Sequence, residues 1–183
     1  MRDVPPRYLT HQILAFPSDW LAALRKCMGD KKWALYVYSA QNGTGKSCFA
    51  ATILQAYRTN LIAKGCKWPL YEPGNQGGRW MSVPAWISKV RDLERWPAHR
   101  EAFATTPMLV IDDLAAGRNT PYVVEELVFL LMRRYENNLR TIITSNLPLA
   151  QLARAMDPRL ASRLQEGILI QAGTVDWRSK PPG

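Results

Sequence analysis

The run Ala40-Gln41-Asn42-Gly43-Thr44-Gly45-Lys46-Ser47 carries the first recognisable chemistry in this chain. Two glycines one residue apart let successive backbone N–H groups turn toward a common point, and such a concavity binds anions. Lys46 adds a positive charge, and Ser47 adds a hydroxyl suited to a hard divalent cation. The spacing is the phosphate-binding pattern G-x-x-x-x-G-K-[ST] with alanine at its first glycine. An ordinary glycine turn can match part of this pattern, so its context decides. The apolar, aromatic-rich run Trp33 to Tyr38 precedes it and predicts a buried strand. A predicted helix, Lys46 to Lys64, follows it, with Phe49, Ile53, Ala56 and Tyr57 along one side. A helix that opens at the loop adds its N-terminal positive potential. The expected ligand is ATP with Mg²⁺, bound along Asn42, Gly43, Thr44, Gly45, Lys46, Ser47 and Cys48. Were position 40 to need a left-handed backbone, the Cβ of Ala40 would cost it about 1 kcal/mol.

Two further sites fit that chemistry. Met108-Leu109-Val110-Ile111 is apolar throughout, as a strand covered on both faces should be, and it delivers Asp112-Asp113. Asp112 is suited to hold Mg²⁺ together with Ser47, and Asp113 to polarise an attacking water. The plain alternative is a solvated turn after a strand. A fourth strand, Thr141 to Thr144, leads into Ser145-Asn146. If it lies beside the glycine loop at the carboxyl edge of a parallel sheet, Asn146 faces the same crevice, within reach of a γ-phosphate and a water. No arginine upstream of the loop stands where it would serve the site within one chain.

The remaining elements follow from periodicity. An amphipathic stretch runs from Trp20 to Met28. Residues 68–78 are rich in proline and glycine and read as a loop. Arg79 to Val83 predicts a second strand, and Pro84 opens a helix with Trp86, Ile87, Val90 and Leu93 at helical spacing, interrupted at Trp96-Pro97. Thr120-Pro121 reads as an N-cap followed by proline at the first helical position of a helix ending near Asn137. Short helices at Leu149 to Ala155 and Arg159 to Gln165 precede a last strand, Ile168 to Ile170. Strands alternating with helices predict an α/β fold with a mainly parallel five-stranded sheet.

The composition fits. The chain has 183 residues, 47% of them hydrophobic, which suits one packed core. Lys and Arg number 24 against 15 Asp and Glu, a net charge of +9. That balance points to an anionic partner such as nucleic acid, or to a basic, well-solvated surface. Cys27, Cys48 and Cys66 have no CxxC pair among them and read as reduced thiols in a cytoplasmic protein. His11 and His99 lack metal-ligand or triad spacing. No apolar run reaches the ~20 residues of a membrane-spanning helix, and no membrane partner is expected.

Taken together, several blocks resemble the AAA+ ATPases of the DnaC/DnaI helicase-loader and IstB transposition-helper group. In order they are VPPRY from Val4, NGTGKS from Asn42, SVPAWI from Ser82, LVIDDLAA from Leu109, RRYENNLRTIITSNL from Arg133, RLASRL from Arg159, and GTVDWR from Gly173 to Arg178. The resemblance implies a P-loop NTPase fold of AAA+ type in three layers. It implies that Asn146 is the sensor 1 residue and that Arg163 is an arginine finger completing the site of a neighbouring subunit. It makes Arg178 similar to the sensor 2 arginine. Residues 83–103 then correspond to an initiator-type insertion that helps bind single-stranded DNA, with Lys89, Arg91, Arg95 and Arg100 near Trp86 and Trp96. The alternative for that segment is a core-facing helix with a solvated charged side. The expected organisation is a short arm over 1–30, an ATPase core over 31–178 and a tail over 179–183. About a dozen residues after the last strand leave no room for a separate lid domain.

Three readings of function follow. One is an ATPase that assembles as an oligomer or filament on single-stranded DNA and helps load or remodel a replicative helicase. The second is an ATP-dependent DNA-binding helper of a transposase. The third is a nucleic-acid-binding module that retains the loop without hydrolysis, which the full set Lys46, Ser47, Asp112, Asp113 and Asn146 argues against.

Overall fold

Five apolar runs become β1 (Ala34–Tyr38), β2 (Arg79–Ser82), β3 (Met108–Leu114), β4 (Arg140–Ser145) and β5 (Ile168–Gln171) in the computed structural model. The structure describes residues 3–9, 12–63, 77–90, 96–116 and 120–177. Among these, the strands form one sheet in the order β2-β3-β4-β1-β5, and every pairing is parallel. The α/β fold class expected from the alternating elements is the one observed.

Side chains alternate across this sheet although the strands read as continuously apolar. Leu35 and Val37 of β1, Val110 of β3 and Ile142 of β4 point to one layer. That layer holds α1 (Ser18–Gly29) and α2 (Lys46–Ala63), with Trp20, Phe49 and Leu54 buried in it. Tyr36, Leu109, Ile111 and Ile143 point the other way. They meet α3 (Val83–Val90), α5 (Pro121–Glu136), α6 (Leu149–Ala155) and α7 (Pro158–Gln165), whose inward residues include Trp86, Leu127, Leu130, Leu152 and Leu160. The last helix, α4 (Trp96–Thr105), adds Ala104 to this second core.

The N-terminal arm belongs to the packed structure. Val4 and Phe16 are buried with Trp20. Asp3 forms a 2.6 Å ion pair with the buried Arg58 and accepts the Trp80 backbone N–H at 3.1 Å. Burial alone would raise the Asp3 carboxyl, but Arg58 and the Trp80 amide outweigh it and hold it below the usual range.

Local signals locate the helix ends. Thr120 accepts the Val123 N–H with Pro121 at the first helical position, as its sequence predicts. Val83 opens α3 and is not the last residue of β2, whereas β3 extends past Ile111 to Leu114. Arg134, in the RRYENN block, is fully buried. It donates to the carbonyls of Phe103, Thr106 and Arg140 and to the Thr141 hydroxyl, at 2.7–2.9 Å. Burial lowers it to about 9. That block therefore ties α4, α5 and β4 together.

Candidate functional site

The glycine loop, Asp112-Asp113 and Asn146 all lie at the carboxyl edge of the sheet, where β1, β3 and β4 end side by side. This is the position at which open parallel sheets bind ligands. Gly43 and Gly45 have φ of +79° and +83°, the left-handed backbone that glycine adopts without a Cβ penalty. Ala40 is absent from the left-handed residues, so its Cβ brings no strain to the loop. Lys46 is buried and folded into the loop, donating to the carbonyls of Gln41 at 2.9 Å and Ser39 at 3.4 Å and to the Thr44 hydroxyl at 3.3 Å. The loop thus gathers a cation and the N-terminal amides of α2 around one hollow, which fits a phosphate group.

Asp112 is 2% exposed. Burial raises its carboxyl to about 6, while hydrogen bonds from Ser47 and Thr144 pull it back and the Asp113 charge adds to the rise. Ser47 at the start of α2 and the Asp112 carboxylate are groups that together suit one hard cation such as Mg²⁺. Asn146 contributes a buried Oδ1 that, among the described residues, has no hydrogen-bond partner. A buried amide oxygen of this kind is costly unless a ligand or water meets it. Lys46, Ser47, Asp112 and Asn146 thus lie at one edge of the sheet, and their chemistry fits a magnesium nucleotide.

Cys48 is half-buried in the first turn of α2. Asn42 is exposed and Thr44 buried beside Lys46. Arg178 lies outside the described residues. Its neighbours Asp176 and Trp177 lie on the loop: the Trp177 N–H donates to the Gly43 carbonyl at 2.8 Å, the Asp176 carboxylate sits against the Gly43 Cα, and the Trp177 ring covers Gly45. That ring also stacks with Phe16 and Trp20, with centroids 5.1 and 6.2 Å apart.

Arg163 is elsewhere. Its carbonyl accepts Trp33 Nε1 at 3.0 Å, and Trp33 precedes β1, so Arg163 sits at the amino edge of the sheet. A strand as short as β1 still separates the two edges by about 16 Å at ~3.3 Å per residue. Arg163 pairs with Glu166 at 2.9 Å, lies over the Tyr135 ring and stays half-exposed. It is not brought to this chain's own loop.

The Arg7 charge slightly favours the ionised Asp112 carboxylate, the smallest of the influences on that group. The structure divides one reading. In the segment 83–103, Trp86 is 2% exposed and belongs to the core. Arg100 pairs with Glu126 at 3.4 Å and lies over Phe129. Arg91 and Arg95 lie outside the described residues, as do the side chains of Lys89 and Trp96. Thr144 was missed as a functional residue. Its hydroxyl donates to Asp112 at 2.7 Å and accepts the Asp113 N–H at 3.0 Å.

No protein-family model matches this chain. Solved structures do. The DnaC helicase loader aligns over 92% of this chain and 100% of its own, with a TM-score of 0.71 and 21% identity. DnaI aligns over 94% of this chain and 93% of its own, with a TM-score of 0.71 and 19% identity. The replication initiator DnaA, in a structure bound to AMPPCP and single-stranded DNA, aligns over 92% of this chain and 50% of its own, with a TM-score of 0.67 and 16% identity. The all-parallel sheet, the glycine loop after β1 and these alignments together establish the fold as one shared with the DnaC helicase loader and DnaI.

Proposed function

We propose that this protein is an ATPase of DNA replication that assembles on single-stranded DNA and helps load or remodel a replicative helicase. The observation that carries the nucleotide part is the loop itself, whose glycines are left-handed and whose buried lysine is folded into it, at the sheet edge to which β3 delivers the buried Asp112. The replication part is supported by the likeness to the DnaC helicase loader and to DnaA bound to AMPPCP and single-stranded DNA. The net charge of +9 favours a nucleic-acid partner.

In this reading the N–H groups of residues 43–47 and the Lys46 ammonium hold the β- and γ-phosphates. Ser47 and Asp112 hold Mg²⁺, which supplies charge neutralisation at the phosphates. Asp113 accepts the proton of the attacking water and Asn146 orients it. Arg163 of one subunit neutralises charge at the next subunit's site. Arg178, next to the segment on the loop, is assigned to the nucleotide as well.

The test is an equilibrium titration with MgATP of the wild type and Lys46→Ala, followed by steady-state hydrolysis with and without single-stranded DNA. Tight binding and slow, DNA-stimulated hydrolysis by the wild type alone is the expected result. Equal affinity for both proteins overturns the nucleotide assignment. A pull-down against replicative helicase and transposase candidates separates the two partner classes. Affinity for single-stranded DNA should fall steeply with salt, because phosphate neutralisation releases counterions.

A further inference from the structure

β3 contains one more residue than β4 can match. Ile111 pairs with Ile143 and Leu114 with Ser145, so Asp112 and Asp113 together oppose Thr144 alone. This is the two-against-one count of a β-bulge, a device that re-aims side chains next to functional sites. Asp113 adopts φ +59° and Ala115 φ +71°, both left-handed and both bearing a Cβ. Such conformations persist only where the surroundings impose them.

Thr144 is fully buried and bonds both bulged residues. Its one hydroxyl proton goes to Asp112 Oδ1 at 2.7 Å, so its lone pairs face the Asp113 N–H at 3.0 Å. Ser145 holds the exit of the same bulge, with its hydroxyl donating to the Leu114 carbonyl at 2.9 Å. We infer that Thr144 is a positioning residue for the hydrolysis proposed above: it fixes the rotamer of the metal-holding carboxylate Asp112 and pins the strained backbone that aims Asp113. This inference rests on that reading. A valine has the same shape and fills the same space, but it leaves the Asp113 N–H and the Asp112 oxygen without their shared partner.

The experiment compares wild type, Thr144→Val and Thr144→Ser in the full chain. Thr144→Val should lower kcat by about tenfold or more, the scale of one charge-assisted hydrogen bond. It should leave KM for MgATP within about twofold, because the phosphate-holding loop is untouched. It should also raise the Mg²⁺ concentration needed for half-maximal nucleotide binding. Thr144→Ser, which keeps the hydroxyl, should recover most of the loss. Hydrogen exchange at the Asp113 amide gives a readout without nucleotide, and it should accelerate in Thr144→Val beyond any change in global stability. In an Asp113→Asn background the Thr144→Val loss should shrink, since the two then act on one step. Unchanged kcat, Mg²⁺ requirement and Asp113 exchange in Thr144→Val would overturn the inference. A wild type that binds MgATP without hydrolysing it would overturn the ATPase reading, while the Mg²⁺ requirement and amide exchange would still decide the role of Thr144.

Discussion

The Trp177 backbone N–H donates to the Gly43 carbonyl at 2.8 Å, which ties the segment after β5 to the middle of the glycine loop. The two residues are far apart in sequence, yet neither glycine of the loop faces open space: Asp176 lies against Gly43 and the Trp177 indole against Gly45. The loop's shape therefore depends on the last described residues of the chain as well as on its own glycines.

Gly43→Ala should accordingly meet two costs. Its φ of +79° penalises a Cβ by about 1 kcal/mol, and the new Cβ would occupy the space of the Asp176 carboxylate. The expected outcome is a Tm lowered by several degrees, at roughly 2–4 °C per kcal/mol for a chain of this size. Adding Asp176→Ala should restore the share due to the collision and leave the backbone share. Thermal unfolding of the single and double variants is the measurement, and equal Tm values for both would mean that Asp176 does not rest on Gly43.

Asp112 makes a second prediction, about pH. Its carboxyl is raised to about 6 by burial against an ordinary value of 3.8. The folded protein therefore holds that proton more tightly than the unfolded chain, and this group's effect on stability declines as pH rises from about 4 through 6. Asp112→Asn should then stabilise the fold at pH 7, by at most about 2–3 kcal/mol, while removing the Mg²⁺ dependence of nucleotide binding. In the wild type, Mg²⁺-dependent affinity should weaken as pH falls through 6, because protonation removes the ligand. Denaturant unfolding and nucleotide titrations across pH 5–8 check both halves.

Asp3 and Arg58 make the opposite prediction. The Asp3 carboxyl is held below 3.8, so its contribution is present above about pH 4 and is lost as pH falls through its folded value. Asp3→Asn leaves Arg58, 2% exposed, with the carbonyls of Gly77 and Gly78 and no anion. A loss of about 3 kcal/mol is expected at pH 7, shrinking as pH falls below 3.8 through the folded value of Asp3. A loss independent of pH would show that the charge of Asp3 is not what stabilises the arm.

Arg163 makes the prediction that tests assembly. It lies at the amino edge of the sheet and the loop at the carboxyl edge, so one chain cannot bring them together. Its partner Glu166 is exposed, and exposed ion pairs contribute too little to hold it in place. Arg163→Ala should bind ATP normally and hydrolyse it about 10³-fold more slowly or worse. Mixed with wild type, it should depress activity more than dilution does. Activity that falls linearly with the mixing ratio would mean that each chain completes its own site.

Much of the site was legible because its signals are local. The glycines, Lys46 and Ser47 are nearly contiguous, Asp112 follows a wholly apolar run, and Asn146 follows a short β-branched run, both of which read as strands. Such a strand must end at the sheet's edge, so the residue after it is placed by the strand itself. The seven blocks from Val4 to Arg178 likewise followed from residue order alone. By contrast, Trp86 sits at a helical spacing that suits either a core or an exposed nucleic-acid face, and only its packing against the second core chose between them. The status of Ala40 also waited on a backbone angle that no side-chain pattern encodes.

The sequence by itself determined the alternation of strands and helices, the glycine loop after β1 and the two acids of β3, since all of these depend on period and on nearest neighbours. Tertiary structure alone decided that β1 lies between β4 and β5, that one Thr144 hydroxyl serves two acidic residues, and that Trp177 returns to cover Gly45. The physical reason is the same in each case. These contacts join groups 30 or more residues apart, and only the packing of helices on both faces of the sheet sets which distant groups meet.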